Sequence, residues 1–283
     1  MANAEQKEHW NGSAGEQWAG NDDTMAELLA PFSDALMEHA TVRGASAALD
    51  IGCGGGSQTL ALARYLGEGA QVLGIDISGP LLAVAERRVQ QDPDLASRVG
   101  FAHADAADYD FDAARFDLLF SRFGVMFFDD PTSAFRNLRA AATPRARLAF
   151  CCWRPLAENP FVRLPLQGAL SVLPPPPSPE PRAPGPFAFA EPDYVETLLG
   201  DAGWSSVAIT PAQIPMRWAS EDGFSALVRD LVNLGPIGRL LQEAEAAERE
   251  KVYAACEELL RPHYRDGVME MDGAVWMVTA ENP

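Results

Sequence analysis

Hydrophobic residues follow two periodicities along the first half of the chain. Short apolar runs predict strands at Ala47–Ile51 and in the stretches "AQVLGIDIS", "VGFAHADA", "FDLLFSRFG" and "ARLAFCCW". Between them apolar residues recur at helical spacing, with Pro80 near one helix start, Gly67 at a helix end and Asp129 or Asp130 as a cap. This alternation of strands and helices predicts a parallel sheet covered by helices on both faces.

The regions outside this core have different patterns. Residues 5–43 have the spacing of helices, and residues 221–261 predict helices again, with a break at "LGPIG". The stretch "LPPPPSPEPRAPGPF" contains eight prolines and predicts an extended surface loop. We expect an N-terminal helical cap segment (1–45), a sheet core (46–153), a proline-rich insertion or cap (154–190), a core helix and strand (191–218), a helical cap insertion (219–265) and a final core strand (266–283).

Length and hydropathy narrow the class of protein. The 283 residues fit one large domain, or one domain with a sizeable insertion. The polar start "MANAEQKEHW" lacks the apolar middle of a signal peptide, and no apolar run approaches the ~18 residues of a membrane-spanning helix. We expect a soluble cytoplasmic protein that does not bind a membrane.

The chain is strongly acidic, with a formal net charge of −18 and only two lysines, Lys7 and Lys251. Because proteins bind nucleic acids largely by neutralising phosphates, DNA and RNA are poor partners for it. The four cysteines show no metal-ligand spacing. We therefore expect small buried thiols and no metal site.

A glycine-rich loop follows the first predicted strand. The stretch "LDIGCGGGS" has the spacing D-x-G-x-G-x-G from Asp50 to Gly56. Such a loop lets the backbone approach a nucleotide closely, although a purely structural turn has the same appearance. Ser57 or Thr59 stands where the dinucleotide pattern has its third glycine. The loop alone leaves open whether a dinucleotide or a nucleoside binds.

Acidic residues end three consecutive predicted strands. Asp50 ends the first, Asp76 the second and Asp105 the third. The carboxyl ends of parallel strands meet at one sheet edge, where open α/β sheets bind ligands. Asp76 is suited to accept hydrogen bonds from ribose hydroxyls and Asp105 from an adenine amino group. Three acids favour a positively charged ligand such as S-adenosylmethionine (SAM) over a pyrophosphate.

With these motifs the chain resembles class I SAM-dependent methyltransferases, in particular the ubiquinone/menaquinone-biosynthesis group (methyltransferase type 11-like). The resemblance rests on "LDIGCGGG", "VLGIDIS", "AHADA" and "FDLLFSRFGVMFFDDP" and covers about residues 47–153; "WNGSAGEQW" is similar to a feature of one subgroup. It implies an α/β fold, a Rossmann-like seven-stranded mostly parallel sheet with helices on both faces and a helical cap. It also implies transfer of a methyl group from SAM to a small organic molecule at O, N or C.

The resemblance assigns candidate roles to individual residues. The glycine loop would hold the methionine part of SAM, the acid after the second strand the ribose and the acid after the third the adenine. The cofactor candidates are Trp18, Asp50, Gly52, Cys53, Gly54, Asp76, Ile77, Asp105, Ala106 and Ser121. The candidates for the substrate pocket are Trp10, Arg122, Phe123 and Trp153.

No catalytic base is assigned from the sequence. Methyl transfer from a sulfonium is an in-line displacement that needs a base only for some acceptors. His9 and His263 are weak candidates, because both lie in predicted cap segments. A SAM-binding scaffold or a non-methylating reaction remains an alternative. A nicotinamide oxidoreductase is another, although its Tyr-x-x-x-Lys form is excluded because Ala247 precedes Lys251 and Asn3 precedes Lys7 at that spacing.

Overall fold

The computed structural model describes residues 4–176, 180–234 and 237–283, and in these ranges the chain forms two compact units. The first unit comprises residues 1–153, 182–212 and 275–283, and the second comprises residues 154–181 and 213–274. Part of the proline-rich stretch, residues 177–179, lies outside the described residues. None of the described helices is long and apolar enough to cross a membrane.

Helices and strands alternate through the first unit, and most of the second is helical. The helices are α1 (Ala4–Asn11), α2 (Ser13–Gly20), α3 (Asp22–His39), α4 (Ser57–Leu66), α5 (Gly79–Gln90), α6 (Pro131–Ala141), α7 (Pro160–Leu170), α8 (Pro192–Asp201), α9 (Phe224–Leu234), α10 (Gly238–Glu243) and α11 (Ala246–Leu260). The strands are β1 (Ala47–Ile51), β2 (Gln71–Asp76), β3 (Val99–His103), β4 (Phe116–Arg122), β5 (Ala142–Trp153), β6 (Ser205–Ala219), β7 (Tyr264–Arg265) and β8 (Val268–Glu281).

The central sheet has the order β3-β2-β1-β4-β5-β8-β6, with the short β7 paired to β8. Strands β1 to β5 are parallel to their neighbours, and β8 runs antiparallel to β5. Right-handed crossovers place the helices after β1 and β2 on one face and the helix after β4 on the other. The predicted α/β fold with a mostly parallel, Rossmann-like sheet and helices on both faces is confirmed; seven strands form the continuous order, and the two-residue β7 adds an eighth beside β8.

The order of the strands reverses between β1 and β4, and this is where the strand ends bring side chains together. Register pairs Asp50 with Gly74 on β2 and with Phe120 on β4, and Asp76 with His103 on β3. Ligands of open α/β sheets bind at such a switch point, outside the carboxyl ends of the strands.

Short-range signals set the helix ends beside this edge. The Ser78 hydroxyl accepts from the Leu81 amide at the start of α5, where Pro80 occupies the first turn. Asp130 accepts from the Ser133 amide at 3.0 Å and caps α6. The sequence left open whether Asp129 or Asp130 caps this helix, and in the structure the cap is Asp130. Gly67 ends α4 at a φ of 92°, as predicted.

The second unit packs its helices around a hydrophobic core of its own. Buried side chains from α7, α9 and α11 meet there, among them Leu164, Val228, Val252 and Cys256. Helices α9, α10 and α11 agree with the helical periodicity of residues 221–261. Residues 235 and 236 of the predicted break lie outside the described residues, and the role of this region as a cap stays a prediction.

Asn159 closes the second unit where the chain enters and leaves it. The side chain is fully buried; its amide donates to Ala274 O at 3.2 Å, and its carbonyl accepts from Ala274 N at 2.9 Å. The Arg154 amide donates to the same Ala274 carbonyl at 3.0 Å.

Candidate functional site

The glycine loop after β1 is tied to the end of β2. The amides of Gly52 and Cys53 donate to Ile75 O at 2.9 and 3.2 Å. Gly52 has a φ of +68°, and a Cβ there would lie 2.7 Å from Gly124 Cα in the loop after β4. Both the backbone angle and the crossing of the two loops therefore require glycine at this position.

Asp50 lies beneath the loop, fully buried at the end of β1. Gln58 donates to Oδ1 at 2.5 Å and Thr59 to Oδ2 at 2.6 Å, both from the first turn of α4. Burial raises the pKa of Asp50 to about 6 despite these hydrogen bonds and the nearby positive charge of Arg122. Asp50 therefore shapes the loop from below, with both carboxylate oxygens already hydrogen-bonded.

Asp76 connects the loop to the start of α5. Its Oδ2 accepts from Gly54 N and its Oδ1 from Ser78 N, each at 2.8 Å. Burial raises the pKa of Asp76, while donation from the Ser78 and Gly54 amides opposes this rise. A carboxyl group with oriented oxygens at the end of β2 is suited to accept from a diol.

Asp105 follows β3 and is buried. Its Oδ1 accepts from Ala107 N at 3.0 Å, and its Oδ2 lies 3.1 Å from the Lys7 ammonium of α1. Ala106 is buried next to it, and the Ala106 carbonyl accepts from the Asn137 amide at 3.2 Å. The third predicted acid is thus an ion-paired carboxylate beside helix α1.

Ser121 and Cys53 hold the loops on the β1 and β4 side. The buried Ser121 hydroxyl donates to Ile51 O at 2.7 Å and accepts from Gly124 N at 3.3 Å. Cys53 is buried, and burial raises the pKa of its thiol well above the ordinary value. The side chain of Ser121 therefore positions the crossing of the two loops.

The N-terminal helices lie against the same edge. Asn11 donates to Ile77 O at 2.8 Å and accepts from Gly79 N at 3.0 Å, while the Ser78 hydroxyl donates to Trp10 O at 2.8 Å. The Trp10 ring meets Trp18 edge-on, with the ring centroids 5.8 Å apart. Both tryptophans are half-buried. The predicted residues Trp10, Trp18 and Ile77 therefore come together.

Three of the four substrate candidates, Arg122, Phe123 and Trp153, lie next to one another. Trp10 lies with the N-terminal helices, whereas Phe123 and Trp153 stack on each other with their centroids 4.1 Å apart and their planes within 7°. Phe123 has a φ of +63°, a strained angle for a bulky residue. Arg122 donates to the Ser33 hydroxyl at 3.0 Å, and burial lowers its pKa.

A buried polar chain joins Arg122 to Asp50. The Ser33 hydroxyl donates to the Gln58 carbonyl at 3.1 Å, and Gln58 donates in turn to Asp50. This network connects the end of β4 with the floor of the glycine loop. It brings Arg122 to the cofactor candidates through Ser33 of α3.

The two candidate bases lie in different parts of the chain. His9 is exposed on α1, with its ring against Trp10 at 5.3 Å. His263 is half-buried in the short turn Arg261–His263 of the second unit. His103 Nε2 lies 3.0 Å from Ile77 O and is a structural residue of the strand end. A catalytic role for His9 or His263 stays a prediction.

Sequence reasoning missed several polar residues around the edge. Gln58 and Thr59 bind Asp50, Lys7 pairs with Asp105, and Arg88 of α5 contacts Gly55 O at 2.8 Å. One signal was present for Arg88. It follows Leu81, Val84 and Ala85 at i+7, i+4 and i+3, and is therefore a charged residue on the buried face of α5.

The sheet edge built from these residues lies within a segment that matches a known family. Residues 49–150 match the family model described as "Methyltransferase domain". This segment is therefore similar to the methyltransferase domains that the family model describes. The predicted resemblance is thereby confirmed over the region that contains the glycine loop, Asp76 and Asp105.

Curated relatives are similar to this chain over less than half of its length. A demethylmenaquinone methyltransferase of Lactiplantibacillus plantarum is 32% identical over 115 residues, which is 41% of this chain and 48% of the relative. The chain thus spans about half the length of the curated relatives that it matches.

Solved structures extend the likeness in fold to most of the chain. A putative methyltransferase of Bacillus halodurans has a TM-score of 0.57 at 15% identity, covering 89% of this chain and 98% of that one. A phosphoethanolamine N-methyltransferase 2 of Haemonchus contortus, solved in complex with SAM, has a TM-score of 0.53 at 19% identity, covering 89% of this chain and 52% of that one. At such identities the likeness shows the fold alone.

Proposed function

We propose that this protein is a SAM-dependent methyltransferase that transfers a methyl group to a small organic molecule. One observation carries the proposal: Asp76 and Asp105 stand at the ends of adjacent strands, beside a glycine loop, within the segment that is similar to methyltransferase domains. Both acids lie where an open α/β sheet binds its ligand.

The residues around the loop fit an adenosyl sulfonium. Among the described residues, a Cβ on Gly54 would meet only Leu81 Cδ1, at 4.0 Å, so this part of the loop has an open side. In the proposal, Gly52 and Gly54 hold the methionine part, Asp76 accepts from the ribose hydroxyls, and Asp105 accepts from the adenine amino group. The remaining cofactor candidates are Trp18, Asp50, Cys53, Ile77, Ala106 and Ser121.

When bound, SAM would supply a methyl group on a positively charged sulfur. The acceptor's electron pair would form the bond to this methyl carbon while the carbon–sulfur bond breaks, and the sulfur would leave as a neutral thioether. The protein contributes position and electrostatics. Carboxylates near the loop favour binding of the cationic ligand. Asp50 and Asp76 have pKa values raised by burial, so we expect cofactor affinity to decrease as the pH falls through about 6.

The proposal includes the class of acceptor and the compartment. A net charge of −18 argues against a nucleic-acid substrate and supports a small molecule. The named activity of the L. plantarum relative puts a demethylmenaquinone analogue first in the substrate panel. Free, buried cysteines fit a reducing compartment such as the cytoplasm.

Binding of S-adenosylhomocysteine (SAH) tests the cofactor. We expect calorimetry to show binding at sub-millimolar SAH, with Asp76→Asn and Asp105→Asn at least tenfold weaker and the exposed Asp112→Asn unchanged. No heat with the wild-type chain would sink the proposal. Mass spectrometry then tests the chemistry: a product heavier by ~14 Da supports methyl transfer, whereas an isomer of equal mass supports a non-methylating reaction.

A further inference from the structure

Arg88 of α5 joins three parts of the chain that are distant in sequence. Its guanidinium pairs with the carboxylates of Asp22 and Asp23 in the first turn of α3, and Nη1 also donates to Gly55 O at 2.8 Å. The Arg88 and Asp22 side chains are 18% and 12% exposed, whereas Asp23 is 96% exposed. The inner pair, Arg88 and Asp22, is therefore shielded from solvent and the outer one is not.

Gly55 leaves the space that Asp22 fills. A Cβ built on Gly55 would lie 2.3 to 2.4 Å from the three atoms of the Asp22 carboxyl group. Any other residue at position 55 would therefore displace this carboxylate. The Asp22 carboxyl group therefore occupies the space that a side chain at position 55 would need.

The same loop is held by the sheet on its other side. Gly54 N donates to Asp76, and the Gly52 amide donates to Ile75 O. Arg88 provides the contact to Gly55 O from the helix side and at the same time holds the start of α3. One guanidinium thus fixes the glycine loop together with the start of α3.

We propose that Arg88 is a positioning residue for the cofactor, which holds Asp22 of α3 against Gly55 and so fixes the glycine loop in its binding shape. This inference rests on the proposed function, because cofactor affinity is its readout. Arginine is suited to the task because its planar fork donates to a carboxylate and a carbonyl at fixed angles, whereas the donors of a lysine ammonium have no such fixed arrangement.

The inner pair behaves differently from a surface ion pair when one partner is removed. Loss of either charge leaves the other partly desolvated and without its main partner, and the loop loses its helix-side contact. We expect Arg88→Met and Asp22→Asn each to weaken SAH binding about tenfold, mainly through faster dissociation. The double variant should be no weaker than either single one, because both changes break the same unit.

The experiment measures the Kd of SAH by calorimetry and its dissociation rate by stopped-flow fluorescence for the wild type, R88M, D22N and R88M/D22N. Arg87→Met is the matched control, because Arg87 is exposed one position earlier on the same helix. Asp23→Asn tests the exposed partner, and both should stay within about twofold of the wild type. R88K should fall between the wild type and R88M.

The outcomes separate this inference from the proposed function. A wild-type chain that does not bind SAH overturns the proposed function, and the inference with it. A wild type that binds while R88M and D22N stay within twofold of it overturns the inference alone. Additive losses in the double variant also overturn it, since they would show two independent effects. If R88M does not fold, D22N and R88K carry the same comparison.

Discussion

Among single residues, Asp50 is a buried acid whose pKa differs strongly from its ordinary value. It is fully buried, both its oxygens are hydrogen-bonded, and burial still raises its pKa to about 6 from 3.8. For an acid whose pKa is higher in the folded state, the stabilising contribution is complete below the unfolded value. It is lost as the pH rises through the folded value.

We compare the free energy of unfolding of Asp50→Asn with that of the wild type. We expect this difference to shift in favour of the variant by about 1 kcal/mol between pH 5 and pH 7. The amide cannot ionise, and the Thr59 hydroxyl can turn to accept from it. Urea unfolding of the wild type and the variant at pH 5, 6 and 7 measures this difference, with the exposed Asp112→Asn as control. Identical pH profiles for the wild type and D50N would contradict the assignment.

Two glycines with left-handed backbone allow strain and crowding to be measured separately. Gly52 has a φ of +68° and crowds Gly124, whereas Gly67 has a φ of +92° with nothing within 4 Å of an added Cβ. We expect Gly67→Ala to lower the free energy of unfolding by about 1 kcal/mol, and Gly52→Ala by about 3 kcal/mol or more. Denaturant titrations of the two variants test this, and equal losses would show that the crossing with Gly124 relaxes freely.

At the scale of elements, the N-cap of α6 was predicted from the sequence, and its contribution to the stability of the protein can be measured. Hydrogen bonds from the Ser133 hydroxyl and amide hold the pKa of Asp130 below its ordinary value. A lowered pKa means that this stabilisation is present at neutral pH and is lost as the pH falls through the folded value.

Asp130→Ala should therefore lower the free energy of unfolding by about 1 kcal/mol at pH 7, the usual loss for an N-cap. Chemical denaturation gives the value. The exposed Asp110→Ala, which lies in the loop before β4, serves as control. If D130A and D110A unfold at the same denaturant concentration, the carboxylate does not stabilise the helix.

The sequence predicted those elements in which buried apolar residues recur regularly along the element. Strands β1 to β5 read as apolar runs because a parallel strand is covered on both faces. Strand β6 was also predicted, within residues 191–218, although it includes Pro211 and Pro215 and shows no such run; it is the last strand in the order of the sheet, where proline is tolerated.

The contacts between elements were less predictable. Asp76 and Asp105 stood out because strand ends mark a known edge of the sheet. The pairs Arg88–Asp22 and Lys7–Asp105 join residues far apart in sequence, and nothing in a helical charge pattern identifies such a partner. The sequence likewise showed the glycine at position 55, but it did not show that the Asp22 carboxylate occupies the space beside this glycine.

At the scale of the whole molecule, the chain leaves the first unit and returns to it twice. The second unit is formed by two segments, 154–181 and 213–274, and Asn159 binds the carbonyl and the amide of Ala274 at the end of the second segment. A single buried side chain therefore closes this unit.

We expect Asn159→Ala to destabilise the second unit by about 2 kcal/mol, because it leaves the buried amide of Ala274 without its partner and removes one of the two donors to the Ala274 carbonyl. The neighbouring Glu158→Ala removes the ion pair between Arg154 and the more exposed Glu158, and should cost less than Asn159→Ala. Hydrogen exchange of α7 and α11, read by mass spectrometry, measures both. Equal protection in the two variants would show that Asn159 does not close the unit.

The scarcity of lysine makes the site chemically addressable. Lys7 lies 3.1 Å from Asp105, and the only other lysine, Lys251, is exposed on α11. An acylating reagent for amines therefore modifies two side chains, which peptide mass mapping resolves without any engineered label. Lys251 provides the internal reference, and the ratio of modification at Lys7 reports whether the carboxylate of Asp105 still holds its ammonium.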